Sequence, residues 1–246
     1  MQKKTIDIVI PARFGSTRFP GKTITRIQGK PLILFVLQRS SMVNGIRNII
    51  VATDDTRIFE IVDSFGFQVV MTSKDHKCGT DRIAEVAKDL DADIIINIQG
   101  DEPLIEPRAV ETIIKNMVKH KDVQMATLIT NLKPEDYDNP NAVKVVKDKN
   151  DFALYFSRSL IPYPRNKSDI NHYKHIGLYG YRKDFLLKFV KMEQTPLEKV
   201  ESLEQLRALE NGYKIKLVYT DYDSIGVDTP EDLERVKKIL AEKGDL

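Results

Sequence analysis

A single cysteine, Cys78, stands in 246 residues, so an internal disulfide is excluded and a reducing compartment is the natural setting. Charge of one sign is scarce too. Lys and Arg total 38 against 36 Asp and Glu, and a net charge of +2 is too small to imply nucleic acid or a membrane surface as partner. No run of like charge is long enough to form a tail, and the longest apolar run, residues 32–37, is far too short to cross a bilayer. The N-terminus passes from a polar start directly into a strand pattern, without the layout of a signal peptide. These absences lead us to expect a cytoplasmic protein with neither membrane nor nucleic acid as partner. Two nucleotide fingerprints are missing as well. Gly15, Ser16 and Gly21 fit neither G-x-x-x-x-G-K-[ST] nor G-x-G-x-x-G, which argues against a P-loop NTPase and an NAD-dependent dehydrogenase. No second histidine stands at metal-ligand spacing from His175, which argues against a zinc site.

What is present is a globular composition, 41% apolar and 30% charged, long enough for one large domain or a domain with a lobe. Residues 6–10 read as a buried strand that Pro11 should end, followed by a loop of small residues carrying Arg13, Arg18 and Lys22. A buried strand feeding a cationic, glycine-containing loop is a means of gripping polyphosphate; a solvated basic loop is the plainer reading. Strand and helix patterns then alternate: strands over 46–52, 67–71 and 93–98, helices over 56–65 (ended by Gly66), 83–90 and 110–118. This rhythm predicts an α/β fold with a mostly parallel, helix-covered sheet. The second half changes character. Strands are predicted over 125–129, 142–146, 152–156, 173–181 and 215–219, and helices over 183–191, 200–211 and 230–240. The last of these has Thr229 as N-cap and Asp232 at the capping-box position. Residues 161–173 read as a long loop.

Several side chains are placed for chemistry. Asp101 follows the most apolar strand on a glycine-softened turn, where a carboxylate can reach a metal over the sheet edge or simply bond its own backbone. Asp228 precedes a well-capped helix, where it can serve the cap alone. Two carboxylates far apart in sequence, both at element ends, suit Mg²⁺, which takes few protein ligands and leaves positions for substrate phosphates. Residues 52–55 and 78–82 offer small and hydroxyl side chains for a base and ribose, or ordinary turn and cap chemistry. Cys78 shows no nucleophile pattern and reads as a packed small residue. His175 shares a strand face with Tyr179 and reads first as a structural histidine. Arg158 is either a surface cation or a carboxylate clamp. Glu204 and Gln205 sit in an ordinary amphipathic turn.

In order along the chain, PARFGSTRFPGK, VATD, CGTDR, NIQGDEP, NAVKVV, ALYFSRSLIP, HIGLYGY, LEQLR and GVDTPEDL resemble the 3-deoxy-manno-octulosonate (Kdo) cytidylyltransferase family of lipopolysaccharide assembly, over about residues 8–236. The resemblance implies a nucleotide-diphospho-sugar transferase fold, Rossmann-like, with a smaller mixed lobe that dimerises. It implies a single domain with a CTP-binding half over about 1–125, a sugar-binding and dimerisation lobe over about 126–220, and a returning metal-ligand loop and helix over 221–246. The implied reaction joins CTP and Kdo into CMP-Kdo and pyrophosphate, with one or two Mg²⁺. By the same likeness Arg13, Ser16, Arg18 and Lys22 match the phosphate loop. Ala52, Asp54, Gly79, Thr80 and Arg82 match the cytidine side, and Asp101 and Asp228 the metal ligands. Gln99, Arg158, His175, Tyr179, Glu204 and Gln205 match the Kdo pocket, and Lys22, Arg13, Asp101 and Asp228 carry the chemistry. Gly15 and Cys78 depart from the family's common alanine and serine. A homodimer is implied. The alternative substrate is another acidic sugar, an 8-amino Kdo or a sialic acid.

Overall fold

The computed structural model describes residues 4–15, 19–166, 171–223 and 225–243. They divide into two compact units, Met1–Glu111 with Ser224–Leu246, and Thr112–Asp223. Unit 1 opens with β1 (Ile6–Ala12), buried at every position. A two-residue hairpin follows, β2 (Arg26–Ile27) with β3 (Lys30–Pro31). Then come α1 (Leu32–Ser41), β4 (Asn48–Thr53), α2 (Thr56–Ser64), β5 (Gln68–Met71), α3 (Gly79–Lys88), β6 (Ile94–Asn97) and the start of α4 (Pro107–Lys119), whose residues count to unit 2 from Thr112 onward. The strands pair in parallel in the order β6-β1-β4-β5. Ile8, Val9, Ile10 and Ile94 to Ile96 are buried to within 0% exposure, the continuous apolar strands that a sheet covered on both faces requires. Asp7 is buried among them, and its carboxylate accepts from Arg47 Nη2 at 2.6 Å and Asn48 Nδ2 at 3.1 Å, as a buried charge must.

One local expectation is corrected here, and one element was not anticipated. Pro11 does not end β1: the strand continues to Ala12, with Pro11 opposite Ala52. Proline removes one N–H donor from the ladder and keeps its carbonyl, a loss the end of a strand tolerates. The apolar run at residues 32–37 opens α1, where all six side chains are buried. Six consecutive apolar residues carry no amphipathic period to reveal a helix.

Unit 2 is mixed. It holds β7 (Met125–Asn131), β8 (Lys144–Lys147), β9 (Ala153–Ser157), β10 (Tyr173–Arg182), α5 (Lys183–Phe189), α6 (Pro196–Glu201), α7 (Leu206–Glu210) and β11 (Ile215–Tyr219). β7 runs antiparallel to β10 and parallel to β11, while β8 pairs antiparallel with both β10 and β9. The helix expected over 200–211 is broken in two. Ser202 adopts a left-handed φ of 52°, and the chain folds back so that Arg207 meets the buried Glu198 at 2.5 Å. Glu204 and Gln205 lie in the break. In the loop expected over 161–173, residues 167–170 lie outside the described residues; the neighbouring 161–166 form no helix or strand. The chain closes on α8 (Pro230–Lys243) in unit 1, capped as its sequence predicts: Thr229 N donates to Asp232 Oδ2 at 2.9 Å, and Asp232 N to Thr229 Oγ1 at 3.2 Å. Among the described residues no helix is long and apolar enough to cross a membrane.

Candidate active site

Parallel pairing places the carboxyl ends of β1, β4 and β6 side by side, the edge at which open α/β sheets bind ligands. A cleft of about 230 Å³ opens there in unit 1. A lone water needs only about 10–15 Å³, so the space suits a larger ligand. Its lining includes Arg13 after β1, Gln99 and Asp101 after β6, Gly79 and Arg82 from the start of α3, and Lys22 and Asp228. The amino end of α3 adds the positive end of its dipole, which favours an anion.

Asp101 and Asp228 meet here although about half of the chain's length separates them. Val227 N donates to Asp101 O at 2.9 Å, tying the two loops together. Gly100 makes the approach possible: a Cβ there would lie 2.8 Å from the carbonyl oxygen of Pro11. Lys22 Nζ donates to Asp228 Oδ1 at 2.8 Å and forms an ion pair with Asp101 Oδ2. Two carboxylate oxygens bound to one nitrogen are at most about 6 Å apart, two hydrogen-bond lengths end to end. Burial works against the charge on Lys22 and the two carboxylates outweigh it, so its pKa stands above the ordinary value. Gly21 prepares this position. It adopts a left-handed φ of 72°, with the Phe14 ring 2.8 Å from where a Cβ would sit, and it starts the short turn Lys22–Ile24. A pair of carboxylates that already holds one cation is a donor set that fits Mg²⁺, which needs few protein ligands. Among the described residues no cluster of three or more His, Cys, Asp or Glu forms a fuller metal site.

The residues expected on the cytidine side divide by role. Arg82, 3% exposed, donates from Nη2 to Asp54 Oδ2 at 2.7 Å and from Nη1 to Thr72 Oγ1. Asp54 therefore anchors a buried arginine at the cleft wall. Ala52 and Thr80 are buried in β4 and in the first turn of α3. Ser16 and Arg18 lie outside the described residues. Pattern reading missed Thr23 and His76, which also line the cleft, as does Cys78. Cys78 is half-buried rather than a packed core residue: it caps α3, its Sγ accepting from Asp81 N at 3.4 Å. Its place immediately before the helical Gly79 was the available signal.

Of the residues matched to the sugar, Gln99 lines the cleft, its Nε2 donating to Asn97 Oδ1 at 3.1 Å. The other five lie in unit 2. Residues four apart on a regular strand are separated by about 13 Å. A register shift in β10 between Ile176 and Tyr179 brings the rings of His175 and Tyr179 to 5.4 Å. His175 Nε2 bonds Thr127 Oγ1 at 2.9 Å, with Phe156 edge-on at 5.1 Å. Burial lowers the His175 pKa to about 3, so the ring is neutral near pH 7. Burial, with the Glu204 charge adding, raises that of Tyr179 well above its usual value. Gln205 is 4% exposed and its Nε2 has no hydrogen-bond partner among the described residues, a buried donor that calls for one. Arg158 is held by backbone: Nε donates to Glu201 O at 2.7 Å and Nη1 to Pro140 O at 2.8 Å.

The chain matches the family model described as Cytidylyltransferase over residues 8–215. It is 53% identical over 236 residues to the 3-deoxy-manno-octulosonate cytidylyltransferase of Fusobacterium nucleatum, covering 95% of this chain and 96% of that one. With the protein of the same name from Geotalea uraniireducens it shares 52% over 247 residues, covering 96% and 98%. A solved structure of a CMP:2-keto-3-deoxy-manno-octonic acid synthetase complexed with CTP superposes at a TM-score of 0.94 with 44% identity, over 97% of this chain and 99% of that one. A sheet edge built for an anionic ligand, two acids converging on one cation and near-complete coverage by these relatives agree: the chain belongs to the cytidylyltransferase family and, within it, to the 3-deoxy-manno-octulosonate cytidylyltransferases.

Proposed function

We propose that this protein transfers the cytidylyl group of CTP to Kdo, giving CMP-Kdo and pyrophosphate, with Mg²⁺ held by Asp101 and Asp228. The observation that carries the reading is the convergence of those two carboxylates on the single ammonium of Lys22, beside a cleft with Arg13 on its wall. The anomeric hydroxyl of the sugar forms the new bond to the α-phosphorus, the bond from that phosphorus to the bridging oxygen breaks, and pyrophosphate leaves with the electron pair. The hydroxyl proton passes to solvent. Such transfers are catalysed by positioning and charge stabilisation. A bound Mg²⁺ supplies Lewis-acid charge and lowers the pKa of the attacking hydroxyl.

The protein's own residues do the rest. Lys22 and Arg13 neutralise the charge that builds on the leaving pyrophosphate, joined by Ser16 and Arg18 from the same loop. The amino end of α3, with Gly79 and Thr80, receives phosphate or ribose oxygens. The Asp54–Arg82 pair, with Ala52, shapes the cytidine side. In unit 2 the neutral His175, the protonated Tyr179, Glu204 and the unpartnered Gln205 amide offer hydrogen bonds to sugar hydroxyls, and Arg158 offers charge to the carboxylate. Gln99 is carried as a further sugar contact. We place the enzyme in the cytoplasm as a homodimer. Pyrophosphate release with CTP and Mg²⁺ across Kdo, 8-amino Kdo and sialic acid tests the substrate. We expect turnover with Kdo to exceed the others; turnover with sialic acid and none with Kdo would overturn the assignment.

A further inference from the structure

Lys22 Nζ occupies the position between the two carboxylates that the proposed mechanism assigns to a divalent cation. It is held there rather than passing through. Its side chain is only 11% exposed, and the Gly21 turn fixes its backbone. Lys22 takes one oxygen of each carboxylate, and an ammonium and a divalent cation repel, so each weakens the other's hold on the pair. The other cations on the cleft wall are placed differently. Arg82 is committed to Asp54 and Thr72, and Arg13 is exposed. Among the described residues, Lys22 is therefore the cation placed to compete with a metal for the pair. A triphosphate entering the cleft supplies a rival partner of higher charge for it.

We propose that Lys22 is an interlock: without nucleotide its ammonium fills the place between Asp101 and Asp228, and an arriving triphosphate draws it off, so that the pair takes up a divalent cation only when nucleotide is present. This rests on the reading of Asp101 and Asp228 as metal ligands. The coupling is reciprocal by linkage, so the cation tightens the nucleotide by the same factor. The enzyme then avoids holding a metal in a cleft with nothing to activate.

The test is Mn²⁺ binding to the nucleotide-free, full-length protein, read as loss of the free-Mn²⁺ electron paramagnetic resonance signal. The proteins are wild type, Lys22→Met, Asp101→Asn and the double variant, with Lys22→Gln as a second neutral replacement should Lys22→Met fail to fold. Removing a competing charge-assisted hydrogen-bond donor should tighten Mn²⁺ by about tenfold or more in the neutral variants relative to wild type. Equal or weaker binding in those variants overturns the interlock. If Asp101→Asn still weakens Mn²⁺ binding by wild type, the ligand assignment survives that failure. Tight binding in Lys22→Met that persists after adding Asp101→Asn overturns both, because the ion then sits elsewhere.

Discussion

His175 illustrates how one side chain's surroundings fix its chemistry. Its imidazole lies between Phe156 and Tyr179 and bonds Thr127 Oγ1, and burial holds its pKa at about 3 against 6.5 for the free side chain. The folded value is the lower one, so the unfolded chain takes up the proton first as pH falls. The contribution of His175 to stability is complete above about pH 6.5 and drains away between there and about pH 3. Urea unfolding at pH 7 and pH 5 checks this: the midpoint should fall more in wild type than in His175→Gln, and equal falls would contradict it. Sequence alternation already placed His175 and Tyr179 on one face. The distance between them was not legible, because it depends on an irregularity in β10 that no local residue pattern announces. Arg158 shows the converse. Its residue type suggests a carboxylate clamp, but the carbonyls that hold it come from the end of α6, at Glu201, and from the loop at Pro140.

At the level of elements, the site is made by the ends of strands, and the strands were the most readable part of the sequence. Runs such as residues 93–98 announce a buried strand by composition alone, and parallel pairing then puts their carboxyl ends on one edge. The boundaries that failed have specific causes. Pro11 is tolerated where a ladder ends, α1 opens on six consecutive apolar residues that show no period, and across the α6–α7 break Arg207 turns back onto the buried Glu198 nine residues before it. Gly100 is the element-level point of weakness. Its Cβ would lie 2.8 Å from the Pro11 carbonyl and 3.3 Å from Ile33 Cδ1, so Gly100→Ala must push the Asp101 turn away from β1. Overpacking of this kind costs about 1–3 kcal/mol. Displacing the carboxylate by about 1 Å should lower kcat about 10²-fold. Thermal unfolding and turnover measure the two effects, and a variant with unchanged Tm and kcat would show that the turn has room to spare.

For the whole molecule, the α/β class followed from the alternating pattern of the first half and the changed character of the second from its successive strands joined by turns. The meeting of Asp101 with Asp228 could not be read from either motif alone. It became legible through the ordered set of motifs shared with the Kdo cytidylyltransferases, and its physical basis is the backbone bond from Val227 to Asp101. Assembly is a separate matter. Light scattering of the purified protein should give twice the chain mass of 28.2 kDa, and a value of one chain mass would contradict the proposed homodimer. The chemistry is tested most directly by the turnover of Asp101→Asn and Asp228→Asn with CTP, Kdo and saturating Mg²⁺, on protein whose circular dichroism matches wild type. Each should fall by at least about 10²–10³-fold, the usual effect of removing a group that organises charge in the transition state. A kcat near that of wild type in either variant would contradict a metal shared by the two carboxylates.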